Sequence, residues 1–202
     1  MIGLIFPTVA NPFFGELVEQ LESKLFDLGY RSILCDSANN KEKERNYLNM
    51  LAANKVDGII AGAHNLGIQE YENIELPIVS FDRYLADGTP IVSSDNFRGG
   101  YLATENLYLK GARKIAILTG SQESNSPTND RTNGYLKFMD EQQLEPQIFQ
   151  FHSTARSTAL KNLEIKRILQ NEEIDSIFAQ MILQLYWHTI CVKSSISASL
   201  SN

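Results

Sequence analysis

The chain has 202 residues, of which 43% are hydrophobic and 21% are charged, and its formal net charge is −6. This composition is typical of a globular protein with one sizeable domain or two small lobes, and its acidic balance excludes a chain that grips nucleic acid by itself. Two cysteines, Cys35 and Cys191, are too few for a disulfide framework. The N-terminus lacks the features of a secretory signal and no apolar run is long enough to span a membrane, so we expect a cytoplasmic protein without a membrane partner.

The first half of the chain predicts five strands and two helices. A strand over Ile2–Pro7 precedes a helix over Phe13–Leu28, whose apolar residues recur at spacings of three and four. A second helix follows the strand RSILCD and begins after Asn39 or Asn40, either of which can act as its N-cap. The remaining strands of this half are predicted at VDGIIAG, LPIVSFD and TPIVSSD.

The second half continues the alternation of strands and helices. The segment NFRGGYLATENLYLKG predicts a helix that ends before Gly111, and KIAILTG predicts the next strand. Helices are expected over residues 129–142 and 156–170, with strands near 147–151 and at SIFA. Because the strands are apolar throughout rather than alternating, we expect an α/β fold of parallel sheets with helices on both faces.

Polar and aromatic residues follow several predicted strands, where ligands bind in open α/β sheets. Asn11, Phe13 and Phe14 come after the first strand, and the aromatic pair could stack on a sugar ring or belong to the core. Asp82 and Arg83 follow LPIVSF and could bind vicinal hydroxyls or form a surface ion pair. The segment NDRTNGY begins a later helix, as a binding element or as a solvated helix start.

The motifs of the common α/β enzymes are not found. The first strand is not followed by G-x-G-x-x-G, GAHNLG lacks the Lys-Ser/Thr of a phosphate-binding loop, and no G-x-S-x-G occurs. The three histidines, His64, His152 and His188, share no metal-ligand spacing. The sequence therefore predicts no cofactor, no metal site and no catalytic residues. An α/β enzyme would need an acid–base pair or a nucleophile that the pattern does not offer.

Six segments in register resemble the effector-binding domain of the lactose-repressor (LacI/GalR) family of transcription regulators. They are IGLIFPTVANPFF, SILCDSANNKEKERNYLNML, VDGIIAG, LPIVSFDR, VSSDNFRGGYLATENLYLKGARKIAILTG and NDRTNGY. The domain is similar to periplasmic sugar-binding proteins. The resemblance implies a first lobe over residues 1–93, a partial second lobe over residues 94–179, and a small molecule bound between them.

The resemblance also implies site residues and partners. Arg131 and, more loosely, His152 would bind the effector from the second lobe, and His152 stands where the family usually has an aromatic residue. The effector would be a small sugar such as ribose, and the intact protein would be a homodimer and not an enzyme. The alternative is an extracytoplasmic sugar receptor of a transport system, which would need an export signal. The first-lobe residues that match effector-binding positions are Asn11, Phe13, Phe14, Asp82 and Arg83.

The chain departs from the family pattern at both ends. Met1 stands directly before the first strand, so the resemblance places operator binding in a helix-turn-helix domain outside this sequence. From residue 180 onward there is no Asp, Glu, Gly or Pro. A shifted reading frame can be tested by joining the last base of each codon to the first two bases of the next codon. Whatever synonymous codons are used, this shifted frame encodes Asp across Met181–Ile182, Leu across Tyr186–Trp187 and Ala across Trp187–His188.

With permitted synonymous codons, this second reading of residues 180–202 becomes TDDFTAILAYNLCEKFNISVPEQ, which continues the family pattern. The hypothesis is that residues 180–202 form a frameshifted tail, and a divergent C-terminal helix is the alternative. A product without the remaining strands is expected to be poorly folded or aggregation-prone, because its apolar sheet edges would be exposed.

Overall fold

The computed structural model describes residues 1–62, 65, 67–120, 127–150, 167–168, 170 and 173–180. The chain divides into two compact units, one formed by residues 1–96 with 123–129 and the other by residues 97–122 with 130–202. Each unit is built around its own sheet, and every strand pair in both sheets is parallel. The predicted α/β fold with parallel sheets and flanking helices is confirmed.

The first unit contains a five-stranded sheet in the order β2-β1-β3-β4-β5. Its strands are β1 (Ile2–Phe6), β2 (Ser32–Asp36), β3 (Gly58–Ala61), β4 (Ile78–Phe81) and β5 (Ile91–Val92). Its helices are α1 (Pro12–Asp27), α2 (Lys41–Ala53) and α3 (Glu70–Asn73).

Both faces of this sheet are covered, as the apolar strands require. Leu4 and Phe6 point to one face and pack with the apolar stripe of α1, which includes Phe14, Leu17 and Leu21. The intervening residue Ile5 points to the other face, into a cluster with residues of α2 and α3. Each fully buried aliphatic or aromatic side chain of this kind contributes about 1.5–3 kcal/mol to folding.

The second unit contains a three-stranded sheet in the order β7-β6-β8. Within the described residues, its strands are β6 (Ile115–Thr119), β7 (Gln147–Gln150) and β8 (Ser176–Ala179), and its longer helices are α4 (Asn96–Leu109) and α5 (Asp130–Glu141). Ile115, Ile117, Tyr135 and Met139 form a buried cluster against residues of α4.

Most predicted elements are found within a residue or two of their expected ends. The fifth strand is shorter than expected, with only Ile91–Val92 in strand conformation. The helix α3 was not predicted, because four residues are too few to show a helical period. The helix expected over residues 156–170 lies outside the described residues apart from 167, 168 and 170.

The sequence also predicted that a glycine follows the end of α4 and that no segment spans a membrane. Gly111 follows α4 with φ of +102°, a conformation that glycine adopts without the strain of a Cβ. Among the described residues, none of the helices combines the length and apolar character needed to cross a bilayer.

Candidate functional site

The carboxyl ends of the five strands of the first unit lie at one edge of the sheet, because all the strands are parallel. Strand order places β3 between β1 and β4, so the segments that follow these three strands are neighbours at this edge. We refer to the edge where these segments lie as the first binding edge. The five site residues predicted for the first lobe all follow β1 or β4 and therefore belong to it.

Asn11 is the N-cap of α1. Its side-chain Oδ1 accepts a hydrogen bond from the backbone N–H of Phe13 at 3.0 Å, and Pro12 occupies the first helical position, where the lack of an N–H costs nothing. The side chain is buried, with 7% of its surface exposed. Because the cap engages Oδ1, the amide Nδ2 is the group that Asn11 can present to a ligand hydroxyl.

The two phenylalanines after Asn11 have different environments. Phe14 is 7% exposed and packs in the core with Leu4 and Phe6, whereas Phe13 is 50% exposed. The ring centroid of Phe13 lies 5.4 Å from that of Phe14 and 6.0 Å from that of Phe81. Phe13 therefore offers an exposed aromatic face at the first binding edge, and Phe14 supports it from the core.

Asp82 occupies an uncommon backbone conformation at the end of β4, with φ of +55°. Its N–H donates to the carbonyl of Val92 at 2.9 Å, which continues the pairing of β4 with β5. Its carboxylate Oδ1 accepts from Nδ2 of Asn96 at 3.0 Å. These contacts hold the carboxylate at the first binding edge.

Arg83 follows Asp82 and is anchored at its backbone and at its side chain. Its carbonyl accepts a hydrogen bond from the hydroxyl of Ser80, and its Nη1 donates to Oγ1 of Thr128 at 3.4 Å. Thr128 belongs to the short helical turn Pro127–Asn129, which is part of the first unit. A guanidinium carries five N–H donors in a fixed, planar arrangement, which suits hydroxyl and anionic oxygens.

In the second unit, Arg131 lies in the first turn of α5. Its Nη1 donates to the carbonyl of Gln180 at 2.9 Å, directly after the end of β8. Thr119, the last residue of β6, donates its hydroxyl hydrogen bond to the side chain of Gln180. Arg131 is therefore held at the carboxyl edge of the second sheet. His152, the other residue predicted from this lobe, lies outside the described residues.

A buried polar cluster that joins α2, Asn65 and α3 was not predicted from the sequence. Glu44 on α2 has no exposed surface, and its carboxylate accepts hydrogen bonds from Nδ2 of Asn65 at 2.6 Å and from the hydroxyl of Tyr71 at 2.9 Å. Burial raises the pKa of Glu44 above its ordinary value, and the two hydrogen bonds oppose that shift. Phe81, beside Phe13, was also missed, although its place at the end of β4 could have indicated it.

Metal-binding side chains do not gather in the part of the chain that the structure describes, where no group of three or more His, Cys, Asp or Glu residues could hold an ion. The first binding edge instead combines an exposed aromatic ring with an amide, a carboxylate and a guanidinium. Binding sites for small polar molecules commonly pair apolar surface with a few fixed polar groups.

Known proteins resemble this chain in sequence and in fold. The family model for periplasmic binding proteins and the sugar-binding domain of the LacI family matches residues 1–180. The sucrose operon repressor of Pediococcus pentosaceus is 53% identical over 178 residues, which are 88% of this chain and 54% of that repressor. The ribose operon repressor of Halalkalibacterium halodurans is 39% identical over 144 residues, which are 71% of this chain and 43% of that repressor.

Among solved structures, a periplasmic binding protein/LacI transcriptional regulator from Alkaliphilus metalliredigens in complex with D-xylulofuranose is similar to this chain. The two share 31% identity with a TM-score of 0.76, over 92% of this chain and 71% of that one. The chain spans about half the length of the two operon repressors, 54% of the first and 43% of the second.

Proposed function

The chain belongs to the family of periplasmic binding proteins and LacI-type sugar-binding domains, and we propose that it is the effector-binding part of a sugar-responsive transcriptional repressor. In the whole protein, a sugar would bind at the predicted site residues and change the affinity for operator DNA. Expressed as a free energy, that change equals the difference between the sugar's binding free energies for the DNA-competent and DNA-incompetent states. Since the 202 residues carry a net charge of −6, operator binding would require a further domain.

The observation that carries this proposal is the arrangement at the first binding edge. Phe13 presents an exposed ring next to Phe81, while Asn11, Asp82 and Arg83 bring donors and acceptors to the same edge. An aromatic face suits the apolar C–H face of a sugar, and the polar groups suit its hydroxyls. Arg131, at the carboxyl edge of the second sheet, would supply a further donor to the effector.

We prefer a repressor to an extracytoplasmic transport receptor because relatives of 53% and 39% identity are operon repressors. A repressor works in the cytoplasm, so the proposal includes a cytoplasmic location, a homodimeric intact protein and no enzymatic activity. We further propose that the two lobes of the effector-binding part span residues 1–93 and 94–179.

The effector is proposed to be a small sugar connected with sucrose utilisation. The resemblance to the family implies ribose or a related small sugar, and a ribose operon repressor is 39% identical. Three sucrose operon repressors are more similar, with identities of 53%, 48% and 47%. We therefore expect sucrose, or a sugar formed from it, to bind more tightly than ribose.

Titration calorimetry of the full-length protein with sucrose, fructose and ribose tests the proposal, with two variants of α1 as a matched pair. Phe13→Ala is expected to weaken the preferred sugar by at least about tenfold, about 1.4 kcal/mol. Phe26→Ala is the control, because Phe26 is 58% exposed on the same helix but lies at its opposite end. Equal affinities for the two variants would remove Phe13 from the site, and the absence of binding by any sugar would refute the proposed function.

A second measurement addresses regulation. Arg83→Ala in the full-length protein should leave operator binding in the absence of sugar intact and abolish its release by sugar, because the guanidinium would no longer contact the effector. An operator titration with and without the preferred sugar measures both quantities. A normal response to sugar in this variant would contradict the role given to Arg83.

We also propose that residues 180–202 carry no function, because they read as an out-of-frame tail. The family match includes residue 180 and ends there, which supports that proposal for residues 181–202. Sequencing the gene across codons 179 and 180 tests it. An intact reading frame there, with no family-like sequence in the other frame, would establish the tail as a genuine divergent end.

A further inference from the structure

Glu44 is a fully buried carboxyl group to which the proposed effector site gives no role. It lies on α2, and its two oxygens accept from different segments, Oε2 from Asn65 and Oε1 from Tyr71. The sequence separations are 21 residues to Asn65 and 27 to Tyr71, so the contacts join three separate segments. A charged group without exposed surface is costly unless it is well hydrogen-bonded, and Glu44 has a hydrogen-bond donor at each oxygen.

Asn65 stands in the connection between β3 and α3, which we call the β3–α3 segment (residues 62–69); the structure describes residues 62, 65 and 67–69 of it. Its first residue, Gly62, pairs through its N–H with the carbonyl of Ile5 in β1. Because β3 lies between β1 and β4, this segment leaves the sheet between the residues that follow β1 and those that follow β4. The Asn65–Glu44 hydrogen bond therefore joins α2 to the segment that follows β3, the middle strand of the three at the first binding edge.

We propose that Glu44 is a positioning residue for effector binding, which anchors the β3–α3 segment through Asn65 so that the first binding edge keeps its shape. This inference rests on the proposed function and assigns a role that touches no effector atom. Tyr71 fixes the other carboxylate oxygen and stabilises the buried charge. It joins Glu44 to α3, whereas Asn65 joins Glu44 to the edge itself.

The hydrogen bond between Asn65 and Glu44 can be tested by exchanging the donor amide and the acceptor carboxylate between the two positions. An amide at position 65 donates to the Glu44 carboxylate, so Asn65→Asp sets two carboxylates against each other and should release the segment. Glu44→Gln can orient its carbonyl oxygen toward Asn65 and keep the anchor. In the double variant Glu44→Gln with Asn65→Asp, the glutamine amide donates to the new carboxylate and the anchor is restored with donor and acceptor exchanged.

The test uses the full-length protein and measures three quantities for each variant: affinity for the preferred sugar, the free energy of unfolding, and amide hydrogen exchange in the β3–α3 segment. Asn65→Asp should weaken sugar binding by at least about tenfold, about 1.4 kcal/mol, and accelerate exchange in residues 62–69. The double variant should recover affinity to within about threefold of the wild type. Tyr71→Phe is the control, since it removes the other hydrogen bond to the same carboxylate. It should lower stability without accelerating exchange in residues 62–69.

The outcomes separate this inference from the proposed function. If Asn65→Asp and Tyr71→Phe lower stability alike and neither changes sugar affinity, Glu44 is merely structural and the inference fails. Lack of rescue by the double variant, in a protein that still folds, would also overturn it. If the wild type binds none of the sugars, the proposed function fails and the positioning role fails with it. Amide hydrogen exchange in residues 62–69 tests the anchor independently of sugar binding. If Asn65→Asp leaves that exchange unchanged, Asn65 does not anchor the segment.

Discussion

Two neighbouring glycines of α4 should respond in opposite ways to the same substitution. A Cβ on Gly100 would lie 2.0 Å from the backbone carbonyl oxygen of Arg131 on α5, whereas a Cβ on Gly99 would meet nothing within 4 Å. The contact is reciprocal, since a Cβ on Gly134 of α5 would lie 2.0 Å from the carbonyl oxygen of Phe97. The two helices therefore meet backbone to backbone, and glycine is the residue that permits this separation.

The expected magnitudes follow from that geometry. An ordinary carbon–oxygen contact is about 3.3 Å or more, so Gly100→Ala would push the helices apart by roughly 1 Å. Overpacking of this kind costs about 1–3 kcal/mol, and the upper end applies because the obstacle is backbone and cannot rotate away. Alanine recovers about 1 kcal/mol of helix propensity, which leaves Gly100→Ala destabilised by about 2 kcal/mol. Gly99→Ala has no such clash, so its free energy of unfolding should rise by the helix-propensity gain alone, about 0.5–1 kcal/mol.

Urea unfolding of the two variants, followed by circular dichroism, measures the difference directly. The two midpoints should move in opposite directions with similar slopes, and the two free energies should differ by about 3 kcal/mol. Because the proposed function assigns Arg131 to the effector, Gly100→Ala should also weaken sugar binding by displacing the Arg131 backbone. If the two variants unfold within about 0.5 kcal/mol of each other, the close approach of α4 to α5 is wrong.

Two other substitutions test the buried polar groups. Tyr135→Phe should lower the free energy of unfolding by about 1–3 kcal/mol, because the hydroxyl donates to the carbonyl of Ile115 and accepts from the N–H of Gln147, each at 2.8 Å. Parallel urea titrations of this variant and the wild type measure the loss, and an unchanged midpoint would refute it. Burial raises the pKa of the Glu44 carboxyl above its ordinary value, so its contribution to stability is full below the ordinary carboxyl pKa and is lost as pH rises through the folded-state pKa. Unfolding measured against pH should show this decline in the wild type and a flatter profile in Glu44→Gln, whereas identical profiles would contradict it.

The sequence predicted the sheets and helices because their signals are local. Apolar strands covered on both faces, the Asn11 cap and the spacing of apolar residues in α1 are all patterns of a few neighbouring residues. The different fates of Phe13 and Phe14 could have been predicted as well. Phe14 begins the stripe that continues at Leu17 and Leu21, whereas Phe13 stands outside it.

The contacts that organise the site could not be predicted in the same way. Glu44 meets Asn65 and Tyr71 only because the sheet order brings their segments together, and Asp82 meets Asn96 across 14 residues. No short pattern marks such pairs in a single sequence. The helix α3, which carries Tyr71, is too short to be predicted from the sequence. The hydrogen bond from Tyr71 that helps to explain a buried glutamate on α2 could therefore not be predicted either.

The backbone conformation of Asp82 limits which residue types fit at this position, and the carboxylate distinguishes aspartate from the others. At a φ of +55°, glycine, asparagine and aspartate are the residues that fit with least strain, and an asparagine could also accept a hydrogen bond from Asn96. An aspartate at this position gains over asparagine a second acceptor oxygen and a negative charge, and its two oxygens can together accept several hydrogen bonds. In the proposed site, the carboxylate would accept from a sugar hydroxyl while Val92 and Asn96 hold the backbone and side chain in place. Strain retained at a strand end beside an exposed aromatic ring is typical of binding sites, where surrounding contacts offset its cost.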